Sequence, residues 1–532
     1  MKLARLRILA QPRGWLCAFA VLFALNQVHS LEFSLNGQVL SVPAPAALRT
    51  LTYPLAPSVS ARQPARGIAL SELLPPLVEA WRLQVQGSAG SRTWAQDELA
   101  EMLGSFFIVE GPGGSWDLTG PESLTSASAP VLRVPNVGTI ALQGESAREG
   151  ELEVWLSWEG VPELKAEIER WSRLTGVRVK TVEVPDTRSK LLAVMRGGGR
   201  VPDLLMIQSD NVADLVQAKA LQPLDRLAPT RLDEKGRSAF RSGGKLWALP
   251  FYFDTQILYY NRALLSPEAA SRLAGSWTTA DLESISRGIL AAGRTPVSWN
   301  VYSAYWLLSF ALGFGRPSVE DADGGVRPDD PGTRKAVDWM LSLIDRGILV
   351  PLERDAMIAR FAAGDIAMIL SGSYSIPEFE RIGIDFGIAA YPLAVSTGAG
   401  TAPGTVKGAR QIPPLLDYKG FAMTRSTRSP VSARRLLDHL TGIGVQQRFT
   451  SALSKLPAMG AARQVMPQSP WQTVLAKSAD AGEVIPPGPG YGIYKNIMWK
   501  ILRFILSGSM KPDAALAEAR RLIDANLREI SR

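Results

Sequence analysis

The sequence predicts an α/β fold built on a doubly wound parallel sheet and preceded by a small β-rich domain. Three observations carry that expectation. From Glu151 onward, short apolar strand segments alternate with amphipathic helical ones, the order that produces a sheet covered by helices. One of them, Leu204-Leu205-Met206-Ile207, is a continuous apolar run of the kind found in strands buried on both faces. Residues 31 to 148 instead carry hairpin signals and a Pro, Ser and Ala-rich stretch. A chain of 532 residues is too long for one hydrophobic core, so several domains are expected.

The first 30 residues read as an export signal. Lys2, Arg5, Arg7 and Arg13 precede an apolar run from Gly14 to Leu25, and Val28-His29-Ser30 offers a cleavage site. The run is short for a membrane span; an uncleaved anchor is the alternative, and Cys17 lacks the small residues of a lipid-attachment site. Removing these four basic residues, which have no acidic partner in the segment, lowers the formal charge from +8 to +4. The remaining Lys and Arg are scattered and form no basic stripe, so nucleic acid is discounted as a partner. The segment also takes with it the only cysteine and one of the two histidines. What remains has no disulfide, no thiolate nucleophile and no multi-histidine metal centre, and no cofactor is expected. The one histidine left, His439, sits in a helical context (Leu436-Leu437-Asp438-His439-Leu440) and is read as structural.

In residues 31–148, Asn36-Gly37 separates two short apolar segments and predicts a hairpin turn. Leu70, Leu73, Leu74 and Leu77 are spaced for a helix from Ala69 to Trp81. A second hairpin is expected from Phe106-Phe107-Ile108-Val109, the Gly111 to Gly114 turn and Trp116-Asp117-Leu118. The segment Gly67 to Leu74 faintly resembles part of the sulfite-oxidase-like molybdopterin domains, in which a Gly precedes a short Leu-rich helix. Those domains ligate molybdenum through a cysteine, absent here, so the resemblance implies a scaffold or docking role without cofactor.

Further along, Leu152, Val154 and Leu156 make a strand, Pro162 suits the first turn of a helix, and Leu164, Ile168, Trp171 and Leu174 give that helix one apolar face. Gly176 is placed to cap it. Val177 to Val184 returns as a strand and Lys190 to Met195 as a helix. Arg196-Gly197-Gly198-Gly199-Arg200 lacks the spacing and the Lys-Ser/Thr ending of a phosphate loop and reads as a tight turn.

These segments, in this order, resemble the extracellular solute-binding proteins of ATP-binding cassette importers, the family that includes maltose- and oligosaccharide-binding proteins. Trp171 to Val179 is similar to the family's first helix turning into its second strand, and Arg200-Val201-Pro202-Asp203-Leu204 to the Pro-Asp that introduces the third. Gly244 to Asn261 resembles the stretch that crosses between lobes, Phe361 to Met368 a helix end, Gly turn and strand, and Lys419 to Met423 a return crossing. The resemblance implies a two-lobe, hinged, type II periplasmic-binding-protein fold. Its lobes would be residues 149–255 with 421–456, and 256–420 with 457–532. It also implies a monomer that holds a sugar or oligosaccharide between the lobes, delivers it to a membrane permease and resides in the periplasm.

A sugar ring has an apolar C–H face and a rim of hydroxyls, so its site needs aromatic plates and fixed polar groups. The plates expected are Trp158, Tyr252, Trp306 and Tyr374; core packing is the competing role, above all for Trp306, which Tyr302 and Tyr305 could join on a buried helix face. The hydrogen-bonding candidates are Ser157, Glu159, Ser209, Asp210 and Asp254, all at strand ends, although Asp210 could instead cap the helix holding Val212, Leu215 and Val216. Tyr491 and Trp499 are added from the last segment, after the loop Pro486 to Gly490. Two other functions compete: a glycoside hydrolase using Glu159 and Asp254, and a sensory or docking protein in which the N-terminal domain is the working part.

Overall fold

The computed structural model describes residues 31–36, 38–40, 49–51, 65–74, 81–95, 98, 103–111, 115–121, 131–144, 149–225, 234–395, 409–464 and 469–530. The expected export signal lies outside them. Among the described residues no helix is long and apolar enough to cross a membrane.

The N-terminal part is β-rich. Strand β1 (Glu32–Leu35) pairs antiparallel with β2 (Gln38–Leu40). Asn36 between them has the positive φ (+50°) that a two-residue hairpin turn requires, and its side chain exchanges two 2.9 Å hydrogen bonds with the backbone of Gly144. Then follow β3 (Arg49–Leu51), β4 (Ala65–Ala69), helix α1 (Leu70–Leu73), β5 (Arg82–Gly87) and β6 (Gly90–Ala95). Strands β7 (Phe107–Glu110), β8 (Trp116–Pro121), β9 (Val131–Val134) and β10 (Thr139–Gln143) complete two five-stranded sheets, ordered β2-β1-β10-β5-β6 and β9-β8-β7-β4-β3. The expected hairpin is β7–β8. The helix expected from Ala69 to Trp81 is shorter. Leu74 is already extended (φ −86°, ψ 131°) because Pro75 disfavours helical backbone in the residue before it, and Trp81 leads directly into β5; residues 75–80 lie outside the described set.

The second part begins with β11 (Leu152–Leu156), buried along its whole length. Helix α2 (Val161–Thr175) buries Leu164, Ile168, Trp171 and Leu174 and ends on Gly176 at φ +74°, as the apolar spacing predicts. Strand β12 (Val179–Glu183), helix α3 (Thr187–Arg196) and β13 (Leu204–Gln208) follow, and β11 runs parallel to both β12 and β13. The glycine run after α3 is a turn, with Gly198 at φ +67°.

Strand β14 (Ala248–Asn261) is fourteen residues long. After it come β15 (Thr295–Trp299), helix α4 (Ala304–Gly313), β16 (Leu349–Pro351), β17 (Ile366–Gly372), β18 (Phe386–Ala389) and β19 (Leu415–Met423). The chain closes with helices α5 (Pro430–Leu440), α6 (Ile443–Leu453), α7 (Pro489–Leu506) and α8 (Pro512–Ile530). The sheet order is β12-β11-β13-β19-β14-β17-β15-β16, with β18 also on β14. Residues Ala248 to Thr255 of β14 pair with β19, and Gln256 to Asn261 pair with β17 and β18. Two halves are thus joined through β14 and β19. The sheet is mixed rather than parallel, because a chain that crosses and later returns lays its crossings in opposite directions: β19 is antiparallel to both β13 and β14.

The β-rich domain packs on the first half. Its apolar cluster takes in Leu174 and Ile443 of that half, together with Met459 and Ala462. The backbones of Gly104 and Gly442 meet so closely that a Cβ on Gly442 would lie 2.5 Å from the Gly104 carbonyl oxygen. His439, fully buried, bridges Ser71 through Nδ1 and Glu167 through Nε2, each at 2.9 Å. Arg170 reaches Glu72 at 2.7 Å, and the Trp171 indole donates to the Ser71 carbonyl at 3.2 Å. The lone helical histidine therefore serves a domain contact.

Candidate functional site

Where β13 and β17 end and β19 crosses, side chains from both halves surround a cavity of about 300 Å3. This is the strand-end position at which open α/β sheets bind ligands. Gln208 and Asp210 follow β13 on one side. Opposite them, Asn300, Ser303, Tyr305 and Trp306 come from the start of α4, Ser371 and Tyr374 from the end of β17, and Tyr491 and Lys495 from α7. Gln256 of β14 fixes the start of α4 by donating to the Tyr305 carbonyl at 2.8 Å. Tyr305 and Trp306 meet edge to face, centroids 4.9 Å apart.

The charges around the cavity are paired. Lys495 reaches across from the second half to Asp210 of the first at 2.5 Å, with its ammonium 6.0 Å from the Tyr491 ring centre. Arg354 pairs with Glu378 at 2.7 Å beside Tyr374. Asp417 accepts from Gln208 at 3.1 Å and from Lys419 at 2.8 Å.

A buried ionic cluster lies below. Asp254 Oδ1 accepts from Ser373 at 2.8 Å and from Lys455 at 3.0 Å, and Oδ2 accepts from Lys419 at 2.9 Å. All three charged side chains are at most 3% exposed. Burial alone would raise the Asp254 carboxyl, but the two ammonium groups outweigh it and hold it well below the usual carboxylate range. Burial likewise works against the charge of Lys419, and Asp254 and Asp417 reverse this and raise it. Asp417 is raised by burial, with Lys419 opposing.

Of the expected site residues, Asp210, Trp306, Tyr374 and Tyr491 line the cavity together. Asp210 does not cap the next helix; it takes Lys495 and the Asn211 amide. Asp254 lies in the buried cluster, with both oxygens committed. Tyr252 is fully buried between Phe251 and Phe449, and its hydroxyl finds no partner among the described residues. It is a core residue, since β14 is covered on both faces. Ser157 is buried and donates to the Pro185 carbonyl at 3.1 Å. Ser209 is also buried, and neither serine is among the residues lining the cavity. Trp158, in left-handed backbone at φ +64°, packs on the core of the first half, while exposed Glu159 reaches back to Lys455 at 3.3 Å. Trp499 is half exposed and lies outside the lining. Sequence reading passed over Gln208, Asn300, Tyr305, Arg354, Asp417 and Lys495. A signal existed for Asp417, which with Lys419 puts two charges into a mostly apolar crossing strand; for Lys495 the signal was its place one helical turn from both Tyr491 and Trp499.

Two larger recesses lie elsewhere, of about 990 and 750 Å3, and neither has an aromatic lining residue. In the first, the Arg327 guanidinium already satisfies Asp321, Asp323 and Asp524. Glu72, Glu167 and His439 have the composition of a metal site, but their ligand atoms are engaged by Arg170, Arg448 and Ser71, so the group is an ion-pair network.

A family model described as bacterial extracellular solute-binding protein matches residues 167–477, more than half of the chain. The chain belongs to that family. The β-rich domain of this solute-binding protein falls outside the match. The chain is 24% identical over 281 residues to the maltodextrin-binding protein MdxE of Bacillus subtilis, covering 50% of this chain and 63% of that one. It is also 24% identical over 229 residues to a maltotriose-binding protein of Pyrococcus abyssi, covering 42% and 48%. The chain thus spans about half to two thirds of these relatives. Among solved structures, the maltose/maltodextrin-binding domain MalE of Bdellovibrio bacteriovorus, bound to maltotriose, superposes with a TM-score of 0.60 at 20% identity, covering 71% of this chain and 100% of that one. The maltotriose-binding protein of Thermus thermophilus gives 0.59 at 21% identity with the same coverage. These neighbours show the two-lobe fold.

Proposed function

We propose that this chain is the extracytoplasmic binding protein of an ATP-binding cassette importer, holding a sugar or oligosaccharide between its lobes and delivering it to a membrane permease. One observation carries the reading: both lobes contribute to a single cavity walled by Tyr305, Trp306, Tyr374 and Tyr491, and the charges around it are paired within the protein. Such a wall suits a neutral, polyhydroxylated ligand with apolar faces. The ligands named for the relatives and neighbours support the same class.

Closure follows from contacts made to both lobes, since only a difference in affinity between open and closed forms drives the motion. Catalysis is disfavoured by the fate of the two carboxylates that a hydrolase would use. Asp254 is held ionised with both oxygens bonded, so it has no proton to give, and Glu159 is exposed beside Lys455. Thermal unfolding and titration calorimetry against a panel of mono- to tetrasaccharides test the proposal. A raised melting temperature with matching heat is expected; no shift and no heat across the panel overturns it.

A second reading, a docking or sensory role for the β-rich domain, is favoured by the way that domain is locked to lobe 1. Charge reversal at Arg92 on the exposed strand β6, with sugar binding and uptake both measured, separates the two. Simple transport predicts no change in either.

A further inference from the structure

The cavity is small for the proposed class of ligand. At about 300 Å3 it stands at the lower end of ligand pockets. One hexose ring displaces roughly the volume of six waters, about 180 Å3, so the enclosed space takes one to two sugar units. A longer chain must continue outside.

Beside the cavity is an aromatic stack that the enclosed site does not use. Trp499 is one of the few large apolar side chains left open, at 50% exposure. It lies one helical turn beyond Lys495, which lines the cavity. Arg503, a turn further, has its guanidinium 4.3 Å from the Trp499 ring centre and 4.4 Å from that of Tyr302. Arg503 also donates to Glu353 at 2.8 Å, and the other oxygen of Glu353 accepts from Asn300 at 3.0 Å. Asn300, Ser303 and Arg354 line the cavity, so the stack is bonded directly into its wall. A cation held against one side of an indole by a second aromatic and a carboxylate fixes the ring while leaving its remaining surface open. A pyranose C–H face is the complement of such a surface.

We infer that Trp499, braced by Arg503 and Tyr302, is an outer subsite that takes the sugar unit next to those enclosed in the cavity, making the protein selective for oligosaccharides over mono- and disaccharides. This rests on the saccharide-binding reading above. The ring contributes through stacking and not through closure, because Arg503 and Tyr302 hold it within the second lobe.

The test is calorimetry on the full chain with α-1,4 and β-1,4 glucan series of one to four units, comparing wild type with Trp499→Ala and Trp499→Phe. Affinity of the wild type should rise about tenfold between two and four units, or about 1.4 kcal/mol. Trp499→Ala should abolish that rise, while Trp499→Phe retains most of it. Equal weakening at every length, or no weakening at any, overturns the subsite and leaves the functional reading standing. If no member of either series binds the wild type but another saccharide of the panel does, the same comparison is made with that sugar's own oligomers. No saccharide binding at all removes both. Near-ultraviolet circular dichroism of the variants checks that their fold is intact.

Discussion

Two junctions in this molecule are built in opposite ways. Between the β-rich domain and the first lobe the contact is buried: Leu174 and Ile443 complete a foreign core, two glycine backbones touch, and His439 and Trp171 bond across the seam. Between the lobes, among the described residues, the ion pair over the cavity is Lys495 to Asp210, with the lysine side chain 45% exposed and the aspartate side chain 10%. A buried, close-packed seam resists sliding, whereas a lone pair whose lysine is open to solvent holds its partners less firmly and is weakened by salt. The β-rich domain therefore travels with lobe 1 as one body, and the relative motion belongs to the lobes.

The comparison is easiest to break underneath the cavity, where the crossing strands hold buried charge. Asp254→Ala leaves Lys419 and Lys455 buried without their shared partner and should cost about 3–5 kcal/mol in denaturant titrations. Because burial of Asp254 is outweighed by the two lysines, its folded value lies below that of an unfolded Asp, near 3.9. Its stabilisation is thus complete above about pH 5 and is lost as pH falls through 4 towards the folded value. Wild-type stability should fall with acid in that window, and the drop should shrink in Asp254→Asn.

At the buried seam, Gly442→Ala places a methyl carbon 2.5 Å from the Gly104 carbonyl oxygen and should cost about 1–3 kcal/mol. Saccharide affinity should be unchanged in the protein that folds. A loss of binding in well-folded Gly442→Ala protein would mean that the seam and the cavity are coupled, contrary to the division drawn here. The smallest effect is expected at the half-exposed Lys495–Asp210 pair. Lys495→Ala should change stability by less than about 1 kcal/mol yet increase the radius of gyration of the ligand-free protein in solution scattering. An unchanged radius would show that the pair does not help hold the lobes together.

Much of the fold was legible because its signals are local. The apolar face of α2, its Pro start and its Gly end, and the continuous run of β13 were each readable from spacing alone, and Asn36-Gly37 announced a hairpin. The helix from Ala69 failed where a local rule was overlooked, the effect of Pro75 on Leu74. The site was less legible. Strand ends were correctly expected to gather polar and aromatic groups, but which of several adjacent residues faces the cavity depends on how a strand exits. Ser209 and Asp210 are neighbours, and only Asp210 lines it; Tyr252 and Asp254 sit on a strand covered on both faces, so both were drawn into the interior. Lys495 and Asp210 are separated by most of the chain and meet only through tertiary structure.

Strands β14 and β19 supply ladder partners to both lobes at once. Neither lobe owns a finished sheet: severing either strand at the crossing would strip edge pairing from both sides together. The two lobes should accordingly melt in one cooperative event, and fragments expressed separately should recover structure only when mixed.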